Sequence, residues 1–332
     1  MSEFVSMITI YDTSSGSLNT GDAIIMEAAM TELEKIFSHE HFVHYPTHYS
    51  LARSTLKQAW RNDLAFVCGT NLLRNGWRFK ARKNQWSLRF IDAFKMQPAI
   101  LFGVGWSAYT NETEWTAKVF YANALRKDII HSVRDGYTEK KLKECGLSNV
   151  INTGCPTLWG LTSDKVASIP NKKSSSVVFT LTDYCQDSNL DTLLISTLAS
   201  NYEIVYFWPQ GSEDLVYFQE LSLDSSINFD QVKLIPSNLR AFNDVLNNND
   251  IDYVGTRLHA GIRALQLSRR TIIIGIDNRA IEMKEDFNLP VVSRESTGEL
   301  VDLINMDWIP SLNIPWAQIE EWKNQFTYSN LS

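Results

Sequence analysis

The chain has 332 residues, 44% of them hydrophobic, and a formal net charge of −7 at pH 7. That length suffices for two domains of ordinary size, and the acidic balance argues against a general nucleic-acid binder. No run approaches the roughly 18 uninterrupted apolar residues of a membrane span, and the start MSEFVSMITI lacks the basic and long apolar segments of a secretory signal, so a soluble cytoplasmic protein is expected.

Residues 7–11 form a short apolar run, expected as the first strand, and enter the polar loop DTSSGSLNTGD. A helix is expected from Asp22, where Ile25, Ala29, Leu33 and Ile36 line one face. Asn19, Gly21 and Asp22 therefore sit at a strand-to-helix turn. Glycine permits a tight turn or a close backbone approach, and a carboxylate is favoured at a helix start. Two readings of this turn stand: a plain N-cap by Thr20 or Asp22, or a place beside a ligand.

The runs 64–69 (LAFVCG) and 99–106 (AILFGVGW) are expected as buried parallel strands. Gly103 and Gly105 either admit a substrate against the backbone or simply pack close. Between these runs, residues 74–90 interleave Arg74, Arg78, Lys80, Arg82, Lys83 and Arg89 with Trp77, Phe79, Trp86 and Phe90. This stretch is a solvated face, or a contact with an anionic or lipid-linked acceptor at a membrane surface. Residues 129–133 are expected as a strand leading into Arg134-Asp135, and a helix from Thr138 carries Leu142 inward and stops near Gly146. Arg134 is a surface ion pair of little worth or a bidentate anion clamp. The four cysteines, Cys68, Cys145, Cys155 and Cys185, are scattered without a C-x-x-C, so buried reduced thiols are expected rather than a metal site or disulfides.

Residues 161–176, with Pro170 and the run NKKSSS, are expected as a linker. A second series of strands then follows at 177–181, 203–208, 232–235, 251–255, 271–276 and 289–292. Helical patterns lie near 191–199, 213–221, 239–247, 258–267 and 297–304. Such alternation predicts a parallel sheet with helices on both faces. The expected fold class is therefore α/β: two Rossmann-like doubly wound domains, 1–160 and 177–310, facing a cleft. Within 315–330, Trp316, Ile319, Trp322 and Phe326 recur at helical spacing, and this helix is expected to pack back on the first domain.

The most informative stretch is 254–276, VGTRLHAGIRALQLSRRTIIIGI. A strand ends at Gly255-Thr256, Arg257-Leu258-His259 occupy the turn into a helix, and an apolar strand follows. In an open parallel sheet, ligands bind outside the carboxyl ends of the strands. A helix start adds free N–H groups and a partial positive charge. Arg257 and His259 there suit a small, multiply charged anion; the alternative is a cap with a surface charge. Asp277-Asn278-Arg279 follow the next strand. Residues 19–22, Arg134, Arg257, His259 and 277–279 all fall at strand carboxyl ends and are expected to line the cleft.

With these residues collected, the chain resembles the polysaccharide pyruvyl transferase family. The similar features are Asn19-x-Gly21-Asp22, Gly103-x-Gly105, Val133-Arg134-Asp135 with Leu142 and Gly146 downstream, the Gly154-Cys155-Pro156 turn, and Arg257-Leu258-His259-Ala260 before a helix and an apolar strand. They run from about residue 19 to 290. The resemblance implies a fold like that of two-domain glycosyltransferases of the GT-B type. It implies transfer of the pyruvyl group of phosphoenolpyruvate onto two hydroxyls of a sugar, giving a cyclic ketal. It places Arg134, Arg257, Leu258 and His259 around phosphoenolpyruvate, which is the donor substrate, and calls for no metal or other cofactor. The implied partners are the donor and a sugar or glycan acceptor, lipid-linked or free, with peripheral contact at the inner membrane face as one option. Gly69-Thr70 stands where a double glycine is usual, and Arg279 where a lysine is usual, which leaves acceptor choice and activity open.

The chemistry suggests roles. His259 is expected as the acid or as a phosphate partner, because imidazole as a class titrates near neutrality. Asp22 is expected to orient or deprotonate an acceptor hydroxyl, with a cap as the alternative. Asn19, Gly21, Gly105 and Arg279 are expected on the acceptor side. Two rivals remain: a glycosyltransferase using a nucleotide sugar on the same architecture, and a non-catalytic partner that binds glycans. Nothing in the chain fixes an oligomeric state.

Overall fold

Strands that are apolar at every position need cover on both faces, and this requirement sets the architecture. The structure is a computed structural model that describes residues 7–78, 86–224, 231–248 and 250–326. Its chain divides into two units. Unit 1 takes the described residues up to Ser17, then Ile25–Trp159, then those from Ile314 onward; unit 2 takes Leu18–Ile24 and Gly160–Asn313.

Unit 1 contains β1 (Met7–Asp12), most of α1 (Gly21–Ile36), β2 (His41–Pro46), α2 (Arg53–Ala59), β3 (Leu64–Cys68), β4 (Ile100–Phe102), α3 (Trp115–Ala124), β5 (His131–Val133), α4 (Gly136–Glu144) and β6 (Val150–Asn152). From the far end of the chain comes α12 (Trp316–Asn324). A parallel sheet runs in the order β2-β1-β3-β4, and a bridge between Val104 and Val133 carries it on to the β5-β6 pair. Side chains alternate between two cores, as the strand period of two requires. Ile8, Ile10, Phe66, Cys68, Ile100 and Phe102 face one core; Tyr11, Ala65, Val67 and Leu101 face the other. Helix α12 closes the first core: Trp322 is fully buried and stacks on Phe102 with centroids 4.6 Å apart.

Unit 2 contains α5 (Ser163–Ala167), β7 (Ser176–Thr180), α6 (Ser188–Asn201), β8 (Ile204–Phe207), α7 (Asp214–Asp224), β9 (Val232–Leu234), α8 (Leu239–Asn248), β10 (Ile251–Gly255), α9 (Leu258–Gln266), β11 (Thr271–Gly275), α10 (Asn278–Phe287), β12 (Val291–Ser293) and α11 (Leu300–Asn305). Its parallel sheet runs β12-β11-β10-β7-β8-β9. The chain builds outward from β7 through β8 to β9, then returns to the other side of β7 for β10, β11 and β12. The reversal point thus lies between β7 and β10, the position at whose carboxyl ends open α/β sheets bind their ligands. These two strands approach closely because Gly255 has no side chain; a Cβ there would stand 2.6 Å from the Thr180 backbone nitrogen.

Several expectations change. The run 99–106 yields only the three residues of β4. The chain leaves the ladder at Gly103, whose φ is +62° and whose absent Cβ makes room for Pro156. Strands 64–69, 129–133 and 271–276 each shorten by one or two residues. Sequence patterning misses β2, α2, α3 and α10. The edge strand β2 is only half-buried, and α10 buries just Ala280, Met283 and Phe287. The expected linker 161–176 contains α5 and groups with unit 2. In the basic stretch, Trp77 and Trp86 turn inward and Arg74 lies buried over the Trp77 ring at 3.9 Å, so this part is core rather than an exposed face. Phe79, Lys80, Arg82 and Lys83 lie outside the described residues. None of the four cysteines forms a disulfide, and burial pushes the Cys145 thiol up to about 12. No described helix is long and apolar enough to cross a membrane.

Candidate functional site

The turn after β10 has a defined geometry. Thr256 N–H donates to the Thr180 carbonyl at 3.1 Å, and Arg257 N–H donates to Thr180 Oγ1 at 3.2 Å. Tyr253 Oη donates to the Arg257 carbonyl at 2.8 Å. These bonds hold Arg257 as the N-cap of α9, at the reversal point of the sheet. Leu258 and His259 begin the helix and are buried. Gly261 lets α9 lie close on β11: a Cβ there would stand 2.5 Å from Ile273.

Arg257 does not stand as an open cation. Its Nε donates to the Leu181 carbonyl at 3.0 Å and to Asp214 Oδ2 at 3.1 Å; its Nη2 donates to Asp183 Oδ1 at 2.8 Å and to Asp214 Oδ1. Burial opposes the charge on Arg257, but Asp214 and Asp183 hold its pKa above the ordinary value. Asp214 is fully buried and also accepts from the N–H groups of Gln210, Gly211 and Asp183 at 3.1, 2.7 and 3.0 Å. Burial pushes the Asp214 carboxyl up, against the pull of Arg257 and these donors. Gly211 is small for a reason: a Cβ there would stand 2.2 Å from Arg257 Nη2.

The segment 18–24 belongs to the same unit because its backbone pairs with residues 210–212. Thr20 N–H donates to the Gln210 carbonyl at 2.9 Å, and Ser212 N–H donates to the Leu18 carbonyl at 3.0 Å. Asn19 Oδ1 accepts from Gly21 N–H at 3.1 Å and from Gln210 Nε2 at 2.7 Å. That double acceptance fixes the orientation of both amides. It also turns Gln210 Oε1 away, buried and without a hydrogen-bond partner. A Cβ at Gly21 would stand 2.6 Å from Gln210 Nε2, so glycine permits this docking. Asp22 is buried in the first turn of α1.

At the end of β11, Asp277 caps α10 by accepting from Arg279 N–H at 3.0 Å, and Arg279 Nε returns to Asp277 Oδ2 at 2.9 Å. Arg279 Nη2 donates to Tyr184 Oη. Burial opposes the Arg279 charge, while Asp277 and Tyr184 hold its pKa above the ordinary value. Tyr184 also lies beside Arg257, whose guanidinium carbon is 5.1 Å from the ring centroid. Unit 2 thus joins Asn19, Gly21, Arg257 and Arg279 through Gln210, Asp214, Asp183 and Tyr184.

In unit 1, Arg134 and Gly105 meet. Arg134 is fully buried, donates to Asp135 Oδ2 from Nε at 3.1 Å and Nη2 at 2.9 Å, and keeps a buried Nη1 without a hydrogen-bond partner. A Cβ at Gly105 would stand 2.3 Å from the Arg134 guanidinium carbon. Asp135 also caps α4 by accepting from Thr138 N–H at 2.8 Å.

Four residues that complete the unit 2 site escaped notice in the sequence: Asp183, Tyr184, Gln210 and Asp214. Asp183-Tyr184 and Gln210 do follow expected strands, so the rule that singled out Arg257 reaches them as well. Among the described residues, no group of three or more His, Cys, Asp or Glu could hold a metal ion.

Comparison with known proteins gives a fold likeness and a family match. Similar solved structures include a UDP-GlcNAc 2-epimerase from Methanocaldococcus jannaschii in complex with UDP-GlcNAc and UDP, with TM-score 0.53 and 11% identity, covering 98% of this chain and 96% of that one. Another is S. aureus MnaA with UDP, with TM-score 0.54 and 12% identity, covering 90% and 87%. A third is the UDP-N-acetylglucosamine 2-epimerase of Rickettsia bellii, with TM-score 0.53 and 11% identity, covering 98% and 97%. At these identities the likeness is one of fold: Rossmann-like domains of the GT-B type. No curated protein matches the chain by sequence. A family profile described as polysaccharide pyruvyl transferase matches residues 19–278.

Proposed function

The chain belongs to the polysaccharide pyruvyl transferase family, and from that premise we propose that it moves the pyruvyl group of phosphoenolpyruvate onto two hydroxyls of a sugar, closing a cyclic ketal. The observation that carries this proposal is Arg257 as N-cap of α9 at the reversal point of the unit 2 sheet, inside the matched region. A guanidinium beside a helix start suits a ligand that bears both a carboxylate and a phosphate.

The proposed reaction balances without a further reagent. The methylene carbon of the donor gains a proton, the two sugar oxygens bond to the neighbouring carbon, and phosphate leaves. One hydroxyl proton ends on the new methyl group and the other departs with phosphate. In this scheme Arg257 and Leu258 N–H hold the donor. His259 delivers the proton or pairs with the phosphate, and Asp22 orients or deprotonates an acceptor hydroxyl. No metal or other cofactor enters the scheme. The enzyme would work in the cytoplasm on a glycan or its lipid-linked precursor.

The test is incubation with phosphoenolpyruvate and a panel of hexosides, with phosphate release and product mass followed together. Phosphate release matched to pyruvylated product is expected, and His259→Ala should lose it with the fold intact. Turnover of nucleotide sugars with release of nucleoside diphosphate, and none with phosphoenolpyruvate, would replace the proposal with glycosyl transfer.

A further inference from the structure

Tyr184 is 59% exposed, although its neighbours Leu181 and Thr182 on the same connection are buried. A single exposed aromatic is ordinary on a protein surface. This one is not loosely held. Its hydroxyl accepts from Arg279 Nη2 and lies 3.5 Å from Asp277 Oδ2. The guanidinium carbons of Arg257 and Arg279 stand 5.1 and 5.9 Å from its ring centroid. Tyr184 follows β7 and Arg279 follows β11, and β10 lies between those strands. The side chain therefore reaches across the carboxyl end of β10, over the turn that carries Arg257.

A ring fixed in place yet open to solvent offers a flat apolar surface whose ordering cost is already met. Next to it, Asp277 and Arg279 supply a carboxylate and a guanidinium, which accept from and donate to vicinal hydroxyls. A flat C–H face beside paired polar groups is the complement of a pyranose ring, which carries axial C–H bonds on one face and hydroxyls around its rim. We infer that Tyr184, Asp277 and Arg279 form the acceptor subsite, with the sugar lying on the Tyr184 ring and its hydroxyls reaching Asp277 and Arg279. This inference builds on the proposed transfer to a sugar, and it sets the acceptor beside the residue assigned to the donor, Arg257.

The alternative is that Tyr184 merely covers Arg257. The two accounts differ in which ligand responds. Binding of methyl gluco-, galacto- and mannopyranoside is measured by saturation-transfer NMR without donor present, and donor binding by the thermal shift with phosphoenolpyruvate. At least one hexoside should bind the unaltered protein, with saturation strongest on ring C–H protons. Tyr184→Ala should weaken that binding about tenfold, while Tyr184→Phe, which keeps the ring, should stay within about threefold. No binding by the unaltered protein overturns the inference, as does Tyr184→Ala that binds hexoside normally and loses only the donor shift. Hexoside binding that depends on Tyr184 in a protein without pyruvyl transfer would sink the proposed reaction and leave the subsite standing.

Discussion

Asp183 and Asp214 share Arg257 but are not equivalent. Asp214 is fully buried and gripped by three backbone N–H groups, whereas the Asp183 side chain is 20% exposed. An anionic donor that reaches Arg257 must compete with the more exposed of the two carboxylates. A partly exposed ion pair is worth about 1 kcal/mol, so Asp183→Asn should lower the KM for phosphoenolpyruvate about fivefold. A raised KM would instead make Asp183 an aid to Arg257. Thr70 offers a second residue-scale test. The sequence flagged it as standing where a glycine is usual, and the structure gives the physical content: φ is +47° at a buried, β-branched residue. The left-handed region costs a residue with a Cβ about 1–2 kcal/mol. Thr70→Gly should therefore be more stable than Thr70→Ala by about 1 kcal/mol in denaturant melts, the reverse of their order in regular structure. Equal stabilities would mean that the neighbouring backbone relaxes away the strain.

At the scale of elements, β5 carries a pH dependence that no pattern in the sequence announces. His131 is fully buried; its Nδ1 accepts from Leu101 N–H at 3.1 Å, and its Nε2 lies 2.8 Å from the Arg126 carbonyl. One acceptor and one donor nitrogen define a neutral ring, and burial lowers the pKa from 6.5 to about 4. The unfolded chain takes up this proton between those values and the folded one does not, so stability falls as pH drops from about 6.5 toward about 4. The loss is ~3 kcal/mol for this group alone. Urea midpoints at pH 7 and pH 5 should show that His131→Asn has a smaller acid loss than the unaltered protein. An identical loss in both would place the sensitivity elsewhere. Strand ends were legible because hydrophobic runs stop where the chain turns, which is how Arg257, Arg134 and Arg279 came to attention. The carboxylate partners of Arg134 and Arg279 lie one and two residues away in the chain, but those of Arg257 were not legible. Asp214 opens a helix that follows a different strand, 43 residues from Arg257, and only the sheet order brings the two together.

At the scale of the whole molecule, the alternation of strands and helices made the doubly wound fold readable, while short or half-buried elements such as β2 and α10 left too thin an apolar stripe. Charge was the least readable property, because a net of −7 conceals its distribution. The basic stretch at 74–90 turns its tryptophans inward, yet unit 1 carries a cationic face that composition does not reveal. Arg53, Lys57 and Lys95 line a depression of about 350 Å³ with Leu56 and Trp60, and among the described residues no carboxylate lines it. Trp60 and Phe94 are half exposed, and Trp60 Nε1 donates to the Lys95 carbonyl at 2.6 Å. Basic side chains around half-exposed aromatics match an anionic bilayer surface, where rings enter the interface and ammonium groups meet lipid phosphates. Each cation near such a surface contributes about 1 kcal/mol. The protein should sediment with vesicles containing phosphatidylglycerol and not with pure phosphatidylcholine, and binding should weaken as salt rises. Lys57→Glu with Lys95→Glu should abolish it, and Trp60→Ala should reduce it even at low salt. Sedimentation that ignores lipid charge, or survives the double reversal, would remove this face from any account of where the protein works.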